Sequence, residues 1–352
     1  MKISAYRGRA SLAHIYYDLL CLISNSWLIH SPLRLVLPAL VCSCSIHIPE
    51  TDILAVKSIQ EIQNPAPIRS LDIFMFHDGE MMNLDAYQRI EETDRWEVQT
   101  ASGKGDRRLF IIANGQWKRE DWMGVNSYQS LSGFKSDLEN ETSSYPAMTA
   151  ECGLYADGTK TIWAEFRRLC SEVVLESVSC DFKGKNYEEI TDLKTYLINV
   201  NGVCRLIEED IVMPERIINM GGLNEGDIEK MKEPELLLRH LGSIKSGENK
   251  ITEFRFRCFP NNCPEESPGS PFTRLVLEGK IDGETCYWPI NIGRNDSGST
   301  SEGIIRNHRY IYNVTITGKG SASPDIPAYS ETFLAKMEVE KWEEKEEYAI
   351  YY

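Results

Sequence analysis

Beyond residue 44 the chain carries four histidines, His47, His77, His240 and His308. No two of them stand at the i, i+4 spacing that would put both imidazoles of an HExxH pair on one helix face, and no Cys-x-x-Cys occurs, so a zinc centre has no ligand set. A phosphate-cradling GxxxxGK[ST] loop, a strand–GxGxxG–helix and a GxSxG nucleophile elbow are all missing. Acidic pairs such as Asp78/Glu80 and Glu265/Glu266 have the right chemistry for glycoside hydrolysis. That chemistry is defined by carboxylate separation in space, and a chain this acidic places most carboxylates on solvated surface. "EGDIEK" and "NDSGST" lack the alternating ligands of a twelve-residue calcium loop. Trp117, Trp122, Trp163, Trp288 and Trp342 would make a sugar platform if exposed, but their alternating settings read as core. These residues imply no enzyme, no cofactor and no metal.

The elements around them are strands. In "RNHRYIYNVTITGKGSASPD", Tyr310, Tyr312, Val314 and Ile316 fall on one face and Ile311, Asn313, Thr315 and Thr317 on the other, before Gly318, Gly320 and Pro324 end the run. "SLDIFMF" (70–76) is largely apolar on both faces, as in a central strand, and "RRLFIIANG" (107–115) repeats the design and stops at Asn-Gly. "EFRFRCF" sets Phe254, Phe256 and Cys258 against Arg255 and Arg257, and "FTRLVLEGKIDGETCYWPI" is a hairpin with Asp282-Gly283 at its tip. Two segments break the pattern. Tyr128, Leu131, Phe134 and Leu138 recur at helical spacing after Asn126-Ser127, which predicts a surface helix; "PELLLRHLG" predicts a short helix opened by Pro234 and closed by Gly242. No helix follows each strand in turn, which excludes a doubly wound parallel sheet. The expected fold is mainly β: two antiparallel β-sandwich domains with a few short helices, an N-terminal one over 70–208 and a C-terminal one over 209–352.

The first 44 residues differ from the rest. Asp18 and "HSPLR" spoil them as a single membrane span, whereas "RLVLPALVCSC" has the basic residue, short apolar core and small residues of an export signal. Val41-Cys42-Ser43-Cys44 resembles a lipobox, with 1–43 as the signal peptide and Cys44 as the lipidated residue. Without 1–43 the net charge is −18, from 34 basic and 52 acidic residues, which argues against nucleic acid as a partner. The remaining Cys152, Cys170, Cys180, Cys204, Cys258, Cys263 and Cys286 are odd in number and irregular in spacing, and predict no disulfide framework. "EKWEEKEEY" near the C-terminus reads as a charged edge that discourages stray strand pairing.

Taken in order, "IRSLDIFMF", "RLFIIANG", "FRRLCSEVVLESV", "RFRCFPNN", "FTRLVLEGKIDGETCYWPI", "RNHRYIYNVTITGKGSASPD" and the closing "MEVEKWEE" resemble the fimbrillin superfamily of Bacteroidales, the type V pilins and their accessory subunits. The resemblance covers roughly residues 66–345 and implies two transthyretin-like sandwiches exported as a lipoprotein to the outer membrane. It further implies removal of an N-terminal strand by an arginine-specific protease and polymerisation by β-strand donation, with other fimbrial subunits as partners. On this sequence the lipidated residue is Cys44, the cleavage candidate is Arg69 with Lys57 as the poorer choice, and 44–69 is the N-terminal strand and linker. Ile53–Ile62 is the removable strand, and Phe333, Ala335, Met337 and Val339, with Tyr348–Tyr352, are the donor candidates. The implied function is a cell-surface fimbrial subunit contributing to adhesion to a host or bacterial ligand. The alternatives are a non-polymerising anchor, a tip subunit and a glycan-binding surface lipoprotein, with a hydrolase as the remaining reading.

Overall fold

The computed structural model describes residues 51–58, 67–91, 96–101, 105–154, 161–294, 303–326, 332–342 and 347–351. Strands make up 51% of the structure and helices 8%, so the fold is mainly β, as the alternation implies. In chain order the first strands are β1 (Thr51–Ser58), β2 (Ser70–His77), β3 (Leu84–Glu91), β4 (Trp96–Ala101), β5 (Arg107–Ala113), β6 (Lys135–Asp137), β7 (Met148–Leu154), β8 (Thr161–Glu165) and β9 (Arg167–Arg168). They continue as β10 (Ser171–Cys180), β11 (Glu189–Ile198), β12 (Val200–Asn201), β13 (Val203–Arg205), β14 (Ile217–Ile218), β15 (Leu238–Lys245), β16 (Asn249–Cys258) and β17 (Arg274–Ile281). The last four are β18 (Glu284–Asn291), β19 (His308–Ile316), β20 (Phe333–Lys341) and β21 (Glu347–Tyr351).

Four sheets carry the architecture. A five-stranded sheet runs β3-β2-β5-β7-β9 and a four-stranded one β4-β1-β21-β8. The strand β2 is central and buried on both faces, which is why its sequence is apolar on both apart from Asp72. One of its rows, Leu71, Ile73 and Met75, packs with Leu109 and Ile111 of β5 and Ala164 of β8. The other, Phe74 and Phe76, joins a larger core that continues through the C-terminal half. Aromatic packing is dense there: Phe74 meets Trp122 edge-on at 5.1 Å and Tyr87 at 4.9 Å between ring centroids. Asp72 shares that row and is fully buried, but Tyr87 and Arg89 satisfy it with hydrogen bonds of 2.8 and 2.9 Å.

The other two sheets are β16-β10-β19-β20 and β15-β11-β17-β18. Val173 and Leu175 of β10, with Tyr310, Tyr312, Val314 and Ile316 of β19, share a core with Leu197 of β11, Leu275 and Leu277 of β17 and Trp288 of β18. Each large side chain so buried contributes roughly 1.5–3 kcal/mol of transfer free energy. The β10–β19 pair is parallel, from Glu172 opposite Arg309 to Cys180 opposite Ile316, and needs the long crossover that the intervening strands supply. The hairpin β17–β18 turns at Asp282 and Gly283, with φ of 53° and 80°, the left-handed pair of a two-residue turn.

Three expectations need correction or refinement. Sheet pairing runs across residue 208: β10 and β11, from 171–198, pair with strands drawn from 238–316, so a sandwich boundary at 208 would cut both C-terminal sheets. The helix expected after Asn126 is one turn only, α1 (Tyr128–Leu131), followed by β6 and a 3₁₀ turn at Leu138–Asn140. Leu131 and Leu138 are buried because an irregular layer, not a helix, covers the sheet. "PELLLRHLG" forms a 3₁₀ turn at Pro234–Leu236 and then enters β15, where Gly242, at φ 81°, stands at a register shift opposite Leu193.

Candidate assembly interface

β1 lies inside its sheet. It pairs antiparallel with β4, from Thr51 opposite Ala101 to Val56 opposite Trp96, and with β21, from Ala55 opposite Tyr351 to Ser58 opposite Tyr348. β21 in turn pairs with β8, from Glu347 opposite Glu165 to Tyr351 opposite Thr161. The expected N-terminal strand and the chain's last strand are therefore neighbours. Removing β1 would leave the facing backbone groups of β4 and β21 without partners, an open template for another strand.

Arg69 sits at the end of the segment entering β2. Its side chain is exposed, while Leu71 two residues on is fully buried. Asn114, held at φ 56° just past β5, staples this entry. Its Oδ1 accepts from the Arg69 N–H at 2.8 Å, and its Nδ2 donates to the carbonyls of Pro67 at 3.0 Å and Pro146 at 3.1 Å. The Arg69 guanidinium lies over the Tyr145 ring, 5.8 Å from its centroid. Arg69 is thus an accessible arginine whose following residues are already locked in a central strand. Lys57 falls within β1, and Cys44 lies outside the described residues.

β20 is an edge strand paired with β19 from Ile316 opposite Phe333 to His308 opposite Lys341. Of the donor candidates, Phe333 and Met337 are half-buried against the core, and Tyr312 Oη bonds to Met337 Sδ at 3.2 Å. Ala335 and Val339 are exposed, Val339 at 48%, and Leu334 on the other face is 63% exposed. So β20 carries apolar surface that this molecule does not use. The structure brings Tyr348–Tyr351 beside β1 and leaves Phe333–Val339 on a different sheet.

Directly after β20, Trp342 is only 5% exposed. Its indole lies under the Arg257 guanidinium at 4.1 Å, Arg168 at 4.4 Å and Arg309 at 5.6 Å, and the Trp342 backbone N–H donates to the Asn307 carbonyl at 3.0 Å. Glu172, buried at 1% exposure, accepts from Arg309 at 2.7 Å and Arg255 at 3.2 Å and pairs with Arg257 at 3.5 Å. The cage draws on β9, β10, β16 and β19, so no local pattern in the sequence announces it. The one available signal was a tryptophan inside the acidic run "EKWEEKEEY".

Other chemistry is satisfied internally. A cleft of about 620 Å³ is lined by Arg205, Glu208, Glu209 and Glu215, but these already pair with Arg167, Lys135 or one another. Trp122 and Trp288 are buried like Trp342, Trp117 is partly buried, and the Trp163 side chain lies outside the described residues. The seven cysteines among the described residues are free, and burial pushes the thiols of Cys170 and Cys204 up to about 11 and about 12, so these two are inert core groups. Among the described residues no group of His, Cys, Asp and Glu is arranged to hold a metal ion.

No family profile and no curated protein matches the sequence. Solved structures do. A candidate cell adhesion protein from Bacteroides eggerthii aligns at 16% identity with a TM-score of 0.62, over 84% of this chain and 97% of that one. A fimbrilin from Porphyromonas gingivalis aligns at 15% identity and 0.57, over 83% and 97%. The tip fimbrial protein Mfa3 of the same organism, with a C-terminal truncation, aligns at 11% and 0.51, over 83% and 100%. At such identities the likeness is one of fold, and it extends over nearly the full length of each of these chains.

Proposed function

We propose that this chain, which has the fold of the fimbrillins, is a structural subunit of a cell-surface fimbria. It is exported as a lipoprotein through Cys44 to the outer membrane and assembled by β-strand donation, and the resulting fibre contributes to adhesion rather than catalysis. The observation that carries the reading is β1 in the interior of its sheet, paired on one side with the chain's own last strand. Excision of such a strand opens a slot that another subunit's strand can fill by β-augmentation. A donor burying four large side chains would gain roughly 6–12 kcal/mol before ordering costs, enough for a long-lived contact without a covalent bond. Donor and slot are different patches, so the contact is heterologous and propagates.

The test uses residues 45–352 and a limiting amount of an arginine-specific protease. The expected outcome is one cut after Arg69, mapped by mass spectrometry, followed by a ladder on unboiled gels. A cut chain that stays monomeric overturns strand donation. A resistant monomer favours the anchor role, for which the Asn114 staple also speaks.

A further inference from the structure

The ion pairs on the rim of the 620 Å³ cleft do not extend to its wall. Arg306, two residues before β19, lines the cleft at only 4% exposure. Its guanidinium donates to three neutral acceptors: the Arg168 carbonyl at 3.3 Å, the Leu206 carbonyl at 3.4 Å and the Thr149 hydroxyl at 2.9 Å. A guanidinium has five N–H groups, so two are left over, and among the described residues it forms no ion pair. Glu208, whose charge reaches it, is paired with Arg167 instead. Arg294 lines the same cleft, half-buried. It stacks on the Phe272 ring, 3.7 Å from the centroid, and donates to the Cys263 carbonyl at 2.5 Å, again with no ion pair among the described residues. Burial holds both guanidiniums below the ordinary arginine value. A buried charge is normally paired, so two arginines left with neutral partners in one cleft mark a place for an anion from outside the chain.

The rest of the cleft narrows the anion. Glu209 and Asp210 stand exposed on its rim, Glu209 paired with Arg205 at 3.4 Å and Asp210 without an ion pair among the described residues. A ligand with many negative charges would meet these carboxylates and be repelled, whereas hydroxyl groups would donate to them. Val212 and Met213 add an apolar side, Met213 at 56% exposure. The volume of about 620 Å³ falls within the roughly 300–1,000 Å³ of small-ligand sites. We propose that this cleft binds an acidic sugar residue, its carboxylate held by Arg306 and Arg294 and its hydroxyls by Glu209 and Asp210. Arg306 also lines a neighbouring cleft of about 480 Å³, but Arg294 does not, so only the larger one has both guanidiniums. The inference rests on the adhesion reading and gives it a ligand class.

The test is a saturation-transfer NMR titration of the uncut full chain with methyl glucuronide, with methyl α-N-acetylneuraminide and, as the neutral counterpart, with methyl glucoside. At least one of the two acids is expected to bind, and which one does so identifies the sugar as a uronate or a sialate. Methyl glucoside is expected to bind at least about tenfold more weakly, because it lacks the charged hydrogen bonds to the arginines. Arg294→Gln and Arg306→Gln are each expected to weaken the acid at least about tenfold, and Arg306→Lys, which keeps the charge without the fork, by less. The thermal midpoint shows whether each variant folds; Arg294 is half-buried, so its variant carries the test should Arg306→Gln fail to fold. Absence of transfer to both acids, equal binding of methyl glucoside, or an unchanged affinity in either folded glutamine variant overturns the site. Tighter binding of an acetylated, amidated glutamate peptide than of either sugar overturns the sugar as its ligand. Neither cleavage nor assembly enters the measurement. A chain that binds the acid yet never polymerises sinks strand donation alone, and one that polymerises yet binds neither acid sinks the cleft alone.

Discussion

Trp342 and Glu141 show how single residues bear on stability here. Replacing Trp342 by alanine removes a buried indole and the stacking of at least two guanidiniums, for an expected loss of about 3–5 kcal/mol, checked by the denaturant midpoint. Glu141 is buried with one hydrogen bond, from the Ala147 N–H, and burial pushes its carboxyl up to about 7, against the opposing pull of that bond, Arg257 and Lys232. In the unfolded chain such a carboxyl titrates near the ordinary value of about 4.3. Between those values the folded chain holds a proton that the unfolded chain has lost, so this carboxyl's contribution to stability is greatest below about pH 4.3 and is lost as pH rises through 7. The loss amounts to about 4 kcal/mol. Glu141→Gln is therefore expected to raise the thermal midpoint at pH 8 and to change it little at pH 4.5. Neither residue's role was legible in sequence, because each depends on partners 30 or more positions away or on the depth of its burial.

Among elements, the strands were the legible part. Alternation placed Tyr310, Tyr312, Val314 and Ile316 on the buried face of β19, and Asp282-Gly283 at a hairpin tip, because a half-buried strand and a left-handed turn each impose a local residue pattern. The two expected helices failed for the same reason. Apolar residues at helical spacing over Tyr128–Leu138 also suit an irregular cover that drops one side chain at a time onto a sheet, and Gly242 serves a strand bulge as well as it would a helix end. The Gly-rich turn after β19 offers a test at this scale. A Cβ at Gly320 would run into the carbonyl of Tyr287 on β18, where Ser321 and Tyr287 exchange backbone hydrogen bonds. Gly320→Ala is expected to cost about 1–3 kcal/mol, measured as a drop in thermal midpoint.

At the scale of the whole molecule, charge and chain order decide the behaviour. Without residues 1–43 the chains carry a net charge of −18 and repel one another, and salt screens that repulsion over a length of about 10 Å at 0.1 M. Raising ionic strength from roughly 0.02 to 0.2 M is therefore expected to speed fibre growth after cleavage, followed by light scattering. Sequence reading placed the division near residue 208 because the texture of the chain loosens there; the sheets are instead knit by pairings such as β10 with β19, which no local pattern reveals. The adjacency of β1, β8 and β21 also bears on how the protein is made. On the export route proposed above, β1, β4 and β8 would be delivered long before β21, and the N-terminal sheet would wait for that strand. Until β21 docks, β1 and β8 each keep an unpaired edge, and a chain truncated before β21 keeps both.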